Sequence, residues 1–242
     1  MQSRLRATSR TNHGVGRANG VRFAVVSATL AVTISLVGID GLAIDASSVA
    51  QAKSSTTAMA GLNKLAVKGR APKTGYLRSA FSNGWGRFNG CDTRNIILAR
   101  DLSNIQFRAD GCTVQTGVLK DPYTGKVINF VRGVGTSTAV QIDHVVPLSD
   151  AWQKGAQKIS SAQRYSLYND PLNLLAVDGP TNESKSDSDA ASWLPPNKSY
   201  RCPYVARQVA VKLKYSLWVT AAEKQAIADV LATCPNQKLP TK

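Results

Sequence analysis

The chain has 242 residues, of which 43% are hydrophobic and 19% are charged, so it is neither a low-complexity fibre nor a disordered polymer. Its 30 Lys and Arg residues outnumber 15 Asp and Glu residues, and the net charge of +15 favours a polyanionic partner such as nucleic acid. Only two histidines are present, His13 and His144, which nearly excludes a mechanism that needs two imidazoles.

The beginning of the chain has the pattern of a secretory signal peptide. Residues 1–22 carry five arginines and no acid, an apolar run of seventeen residues follows at 23–39, and Ala50-Gln51-Ala52 supplies an A-x-A cleavage pattern. We therefore predict a signal peptide at 1–52 and a secreted, extracellular mature chain at 53–242, with no stable membrane association. The alternative is a retained membrane anchor, because the apolar run lies at the short end of the lengths that span a bilayer. The net charge of residues 53–242 is +12, so the positive charge belongs to the mature part.

The local patterns after residue 53 predict one α+β domain, since no linker or repeat divides it. The segments 126–132 and 137–142 alternate and are rich in β-branched residues, so each predicts a strand, and the apolar segment 172–177 predicts another. Capping residues and helical periodicity predict the helices. These are expected over 94–102, from Ser160 to about 168, from Thr181 to about 191, over 203–217, and from Thr220 to about 231.

Four cysteines lie in the mature part, at positions 91, 112, 202 and 234, and no two form a C-x-x-C pair. This spacing argues against a zinc ribbon or a thioredoxin-like site. An even number in an exported chain predicts two disulfides. Three pairings are possible; Cys91–Cys112 and Cys202–Cys234 are favoured because shorter loops cost less entropy to close.

The residues best suited to catalysis begin in the segment QIDHVVPLSDAW, residues 141–152. A predicted strand ends in Asp143-His144, and at the end of a strand both side chains can reach one cleft. A carboxylate is a hard oxygen ligand for Mg²⁺, and an imidazole can deprotonate water near neutral pH. Asn173 and Asn182 follow downstream, and an amide oxygen at a helix start can supply a second, neutral metal ligand.

This arrangement resembles the HNH endonucleases, which have the ββα-metal fold. The correspondence consists of Asp143-His144 at the end of a strand, Asn173 before the next strand, and Asn182-x-x-Lys185 on a helix. The resemblance is closer still to the secreted HNH proteins related to the GmrSD-type C-terminal nuclease domain. It is carried by GRAPKTGY (69–76), NGCDTRN (89–95), DPYTGK (121–126), IDHVVPLSDAW (142–152) and NDPLNLLAVDGPTNESKSDSDA (169–190).

The resemblance implies an HNH endonuclease domain at 53–242 with a ββα-metal core at about 126–191. It implies that His144 is the general base that activates water, and that Asp143 and Asn182 bind a divalent metal. Mg²⁺ is the metal that we expect, with Mn²⁺ or another divalent ion as the alternative. Asn173 would act in catalysis by holding the loop that orients the histidine, and Lys185 would contact phosphate.

The sequence thus predicts a secreted, metal-dependent endonuclease that hydrolyses phosphodiester bonds, with DNA favoured over RNA and little sequence specificity. One alternative is a secreted basic protein that binds nucleic acid or wall polymers on a degenerate HNH fold and tolerates loss of His144. Another is a membrane-anchored nuclease that keeps residues 1–52. For the nuclease we expect the rate to rise with pH near 6.5, the ordinary pKa of histidine.

Overall fold

The computed structural model describes residues 56–241, which form an α+β domain. The predicted signal peptide at 1–52 lies outside the described residues. Within the described part, no helix has the length and apolar character that a membrane span requires. The strands are β1 (Arg87–Phe88), β2 (Cys91–Asp92), β3 (Leu102–Phe107), β4 (Val114–Lys120), β5 (Val127–Val131), β6 (Val140–His144) and β7 (Leu174–Asp178). The helices are α1 (Ala58–Lys64), α2 (Thr93–Asp101), α3 (Leu148–Gln153), α4 (Ser161–Asn169), α5 (Gly179–Lys185), α6 (Arg201–Lys214) and α7 (Ala221–Ala232).

The described strands form three antiparallel sheets, which are β1–β2, β3–β4–β5 and β6–β7. The strand predicted at 126–132 is present as β5, but it pairs with β4 and not with β6. The strand predicted at 137–142 begins only at Val140, because Ser137–Ala139 form a 3-10 turn. The sequence patterns did not predict β3 and β4, whose residues are largely polar on their exposed faces.

Strands β6 and β7 and helix α5 form a ββα unit over residues 140–185. His144 is opposite Leu174 in the antiparallel register, and Val140 is opposite Asp178. Helix α5 begins earlier than the predicted Thr181, because the side chain of Asp178 caps it by accepting the N–H of Thr181. It ends at Lys185 instead of about 191, because Ser186 has a left-handed backbone with φ +52°.

The apolar segment of β7 is buried on both faces, which explains its uninterrupted hydrophobic sequence. Leu174 and Ala176 pack in a core cluster with α2 and the three-stranded sheet. Leu175 and Val177 face the opposite way, into a cluster formed with α1, α6 and α7. This packing fixes the strand that carries Asn173 at its start and α5 at its end.

The remaining helix predictions agree with the structure to within about one turn. Helix α4 begins at the predicted capping box, in which the Ser160 side chain accepts the N–H of Gln163 and the Gln163 side chain accepts the N–H of Ser160. Helix α6 has the predicted amphipathic face, since Val205 and Val209 are fully buried. Burial of each such side chain contributes about 1.5–3 kcal/mol.

Two disulfides with the predicted pairing close the domain. Cys91–Cys112 joins β2 to the loop between β3 and β4, and Cys202–Cys234 joins the first turn of α6 to the residues after α7. A native disulfide typically contributes about 2–5 kcal/mol to a small secreted domain.

A buried cluster of charges holds α3, α6 and α7 together. Lys154 and Lys212 are fully buried, and the Lys154 Nζ atom lies 2.6 Å from Asp150 and 2.7 Å from Glu223. The Lys212 Nζ atom also lies 2.7 Å from Glu223. Because each buried ammonium group is paired with a carboxylate, we assign this cluster a structural role.

Candidate active site

A cavity of about 580 Å³ opens where β6 ends and α5 begins. Asp143 and His144 line it from β6, and Asn182 lines it from α5. The structure therefore brings three of the five predicted site residues to one place. Asn173 and Lys185 do not line this cavity; both are fully buried behind it.

Asp143 is a buried carboxylate with a partner on each oxygen. Lys185 Nζ lies 2.9 Å from Oδ1, and the Tyr123 hydroxyl donates to Oδ2. Lys185 Nζ also donates to the main-chain carbonyl of His144 at 3.0 Å. Burial and the neighbouring Asp143 carboxylate raise the pKa of Tyr123 well above its usual value, so Tyr123 keeps the proton that it donates.

This arrangement does not fit the phosphate contact predicted for Lys185. Its side chain is fully buried and its ammonium is committed to Asp143 and to a backbone oxygen. The reason is that Asn182 and Glu183 are the α5 residues that line the cavity, whereas Lys185 at the end of the helix is fully buried. Lys185 thus neutralises and orients Asp143 from behind.

His144 is held in one orientation by a hydrogen bond and by an aromatic stack. Its Nε2 atom lies 2.9 Å from the carbonyl oxygen of Tyr168, and the Trp85 ring lies parallel to the imidazole at 5.7 Å. Because a carbonyl oxygen only accepts hydrogen bonds, Nε2 carries the hydrogen, and Nδ1 is left as the basic nitrogen. The second nitrogen of the imidazole is therefore able to accept a proton.

Burial lowers the pKa of His144 to about 4, and the positive charge of Arg78 acts in the same direction. The imidazole is therefore neutral at neutral pH, as a general base must be. The unperturbed value near 6.5 that the sequence suggested is wrong for this buried histidine. The expected rise of rate with pH moves to the acid range.

Asn173 fixes the chain that follows His144. Its Oδ1 atom accepts the N–H of Val146 at 2.8 Å, and its Nδ2 atom donates to the Val146 carbonyl at 3.3 Å. The main-chain carbonyl of Asn173 also accepts the N–H of Val145 at 2.8 Å. An amide side chain suits this position because it matches both hydrogen-bonding groups of a peptide. These contacts have the geometry expected of a residue that holds the histidine loop.

Asn182 is half-buried at the cavity, and its Nδ2 atom donates to Gln141 Oε1 at 2.8 Å. This bond orients the amide, and Oδ1 accepts no hydrogen bond from the side chains or main chain of residues 56–241. Gln141 in turn donates to Glu183 at 2.8 Å. Gln141 was not among the predicted site residues, although its position two residues before Asp143 places both on one face of β6.

The donor set suits a hard divalent ion that keeps several of its waters. Asp143 and Asn182 offer one carboxylate and one amide oxygen at the same cavity, as Mg²⁺ sites often do. Between residues 56 and 241 there is no group of three or more His, Cys, Asp or Glu side chains placed to hold a metal. The ammonium of Lys185 offsets the charge of Asp143, so we expect weak binding of such an ion.

Two cations from a segment that precedes β1, Lys73 and Arg78, also line the cavity. Lys73 Nζ lies 3.1 Å from Asp187, which partly neutralises it. Arg78 is exposed, lies over the Tyr168 ring at 5.2 Å, and takes part in none of the ion pairs found in residues 56–241. No sequence pattern indicated that Arg78 lies at this site, because more than sixty residues separate Arg78 from His144.

The match to a known family covers most of this site. Residues 92–230 match the family of GmrSD restriction endonucleases, C-terminal domain. The chain belongs to this family. A protein from Arthroderma benhamiae (strain ATCC MYA-4681 / CBS 112371), named an uncharacterized secreted protein, is 40% identical over 185 residues, which are 75% of this chain and 86% of that protein. No solved structure matches the chain.

The GmrSD C-terminal domain match includes Asp143, His144, Asn173, Asn182 and Lys185. It does not include the segment with Lys73, Arg78 and Trp85, which precedes the matched range.

Proposed function

We propose that this chain is a secreted, metal-dependent endonuclease of the HNH class that hydrolyses phosphodiester bonds, with DNA as its favoured substrate. The observation that carries the proposal is the convergence of Asp143, His144 and Asn182 on one cavity, with the imidazole held neutral. Membership of a restriction-endonuclease domain family supports the same chemistry.

In this mechanism His144 Nδ1 takes a proton from the attacking water. The Tyr168 carbonyl holds the ring through Nε2–H and stabilises the imidazolium that forms. The nearby carboxylate of Asp143 also favours the protonated ring. Asn173 keeps the backbone after His144 in place, so the base does not have to be ordered during the reaction.

Asp143 and Asn182 would hold the divalent ion. When bound, Mg²⁺ supplies charge neutralisation at the phosphate oxygens. Lys185 and Tyr123 fix the Asp143 carboxylate from the protein side, and Gln141 fixes the Asn182 amide. Arg78 offers a further positive charge at the mouth of the cavity, where it can contact a phosphate.

The charge of the chain supports a nucleic-acid substrate bound through its backbone. The net charge of +12 over residues 53–242 provides phosphate affinity that carries no sequence information. The signal pattern at 1–52, the two disulfides and the name of the Arthroderma benhamiae relative all favour secretion.

The test is cleavage of plasmid DNA and of RNA by the purified protein, with Mg²⁺, with Mn²⁺ and with EDTA. His144→Gln keeps a donor near the position of Nε2 but removes the base, so its rate should fall by roughly 100- to 10,000-fold. Its affinity for DNA should stay near that of the wild type, because His144 carries no charge at neutral pH. Cleavage by His144→Gln at the wild-type rate would contradict the proposal and favour a basic binding protein.

A further inference from the structure

We propose that a second cleft beside the candidate active site binds the unpaired base of a DNA strand whose phosphate lies in the active-site cavity. The inference rests on the proposed function and specifies single-stranded or locally unpaired DNA as the substrate. The cleft has a volume of about 510 Å³. It is lined by the rings of Trp85 and Tyr165, by Ser79, Ser82 and Asn83, and by two glycines.

The cleft adjoins the active-site cavity. Arg78, which lines the active-site cavity, and Ser79, which lines the cleft, are neighbours in the 3-10 turn Arg78–Ala80. Trp85 lines the cleft and stacks on His144, which lines the active-site cavity. One turn of chain and one pair of stacked rings therefore separate the two sites. A strand with a phosphate at Arg78 would bring an adjacent base to the cleft.

The side chains of the cleft have the chemistry that recognises a base. Tyr165 is 42% exposed, and an exposed aromatic ring offers a stacking surface to any base. The side chains of Ser79 and Asn83 form no hydrogen bond with other residues in 56–241, so both are available to a base edge. None of the residues that line the cleft is acidic, so it does not repel a polyanion.

Gly86 gives the cleft part of its shape. A Cβ atom at Gly86 would overlap the Tyr165 hydroxyl and crowd the Asn169 side chain, so a larger residue at this position would displace Tyr165 from the 82–86 loop. Bases in a duplex are stacked on both faces and cannot offer a face to Tyr165. The cleft thus distinguishes an unpaired base from a paired one.

The experiment compares two 12-nucleotide DNA strands labelled with fluorescein, one of thymidines and one with abasic sites in place of most bases. Binding is measured by fluorescence anisotropy in EDTA, with the full-length mature protein. Tyr165→Ala should weaken binding of the thymidine strand by roughly 5- to 100-fold and leave binding of the abasic strand unchanged, since only stacking is removed. Tyr165→Phe should bind like the wild type because it keeps the ring.

Phe107→Ala is the matched control, because Phe107 is an aromatic residue of similar exposure on β3 and lies outside the cleft. It should bind both strands like the wild type. Unchanged binding of the thymidine strand by Tyr165→Ala, or an equal loss on both strands, would overturn the inference. If the wild type cleaves DNA but does not distinguish the two strands, only the cleft is wrong. If it neither binds nor cleaves DNA, the proposed function fails as well.

Discussion

The buried state of His144 predicts a specific loss of stability in acid. Its pKa is 6.5 in an unfolded chain and about 4 in the folded protein, because the imidazole is buried between Trp85 and Tyr168. As pH falls from about 6.5 to about 4, the unfolded chain takes up a proton that the folded protein does not. The free energy of unfolding should therefore fall across this window by about 3 kcal/mol, at 1.36 kcal/mol for each pH unit. Above pH 7 the imidazole is neutral in both states, so His144 should not contribute to the pH dependence of the free energy of unfolding.

The measurement is urea unfolding of the wild type and of His144→Gln between pH 7.5 and pH 4, in EDTA and with disulfides intact. Carboxylates that titrate in both proteins cancel in the difference, so the wild type alone should show the additional loss. Glutamine does not titrate, and its amide can still donate to the Tyr168 carbonyl. Parallel stability curves for the two proteins would show that His144 titrates normally and is not buried as described.

Three further predictions concern stability and metal binding. Asn173→Ala leaves the buried N–H and C=O groups of Val146 without their side-chain partner. The free energy of unfolding should fall by about 1–3 kcal/mol for each lost hydrogen bond. Chemical denaturation measures this loss, and an unchanged denaturation midpoint would contradict it. Asn182→Ala should raise the Mg²⁺ concentration for half-maximal cleavage and recover part of its rate at high Mg²⁺, whereas equal metal dependence would remove Asn182 from the ligand set. Replacing Cys202 and Cys234 with serine should lower the free energy of unfolding by about 2–5 kcal/mol. The melting temperature should fall accordingly, and an unchanged melting temperature would show that the disulfide is dispensable.

The elements that the sequence predicted well depend on local signals. The capping box at Ser160 and the amphipathic face of α6 are complete within one or two helical turns, so neighbouring residues suffice to specify them. The disulfide pairing followed from loop lengths of 21 and 32 residues. Asp143 and His144 could be placed at a strand end because the β-branched residues Val140 and Ile142 precede them in β6.

The elements that the sequence did not predict depend on distant partners. Strands β3 and β4 gain their stability by pairing with each other and with β5, and their polar exposed residues carry no clear alternation. Arg78 and Trp85 reach the site only because the chain before β1 folds back over β6, which no spacing in the sequence indicates. The early start of α5 depends on Gly179, whose lack of a side chain allows the close approach of the Thr138 carbonyl.

The same distant packing decides how the proposed catalytic residues would work. The sequence identifies Asp143, His144 and Lys185, but only the fold decides which groups their side chains contact. Burial would make an isolated Asp143 carboxylate costly, and the Lys185 ammonium offsets that cost while it blocks any contact of its own with substrate. Burial also keeps the His144 imidazole unprotonated well below neutral pH, with Nε2–H committed to a carbonyl. The proposed base is thus neutral at every pH above about 5, so we expect any rise in rate near pH 7 to come from a group other than His144.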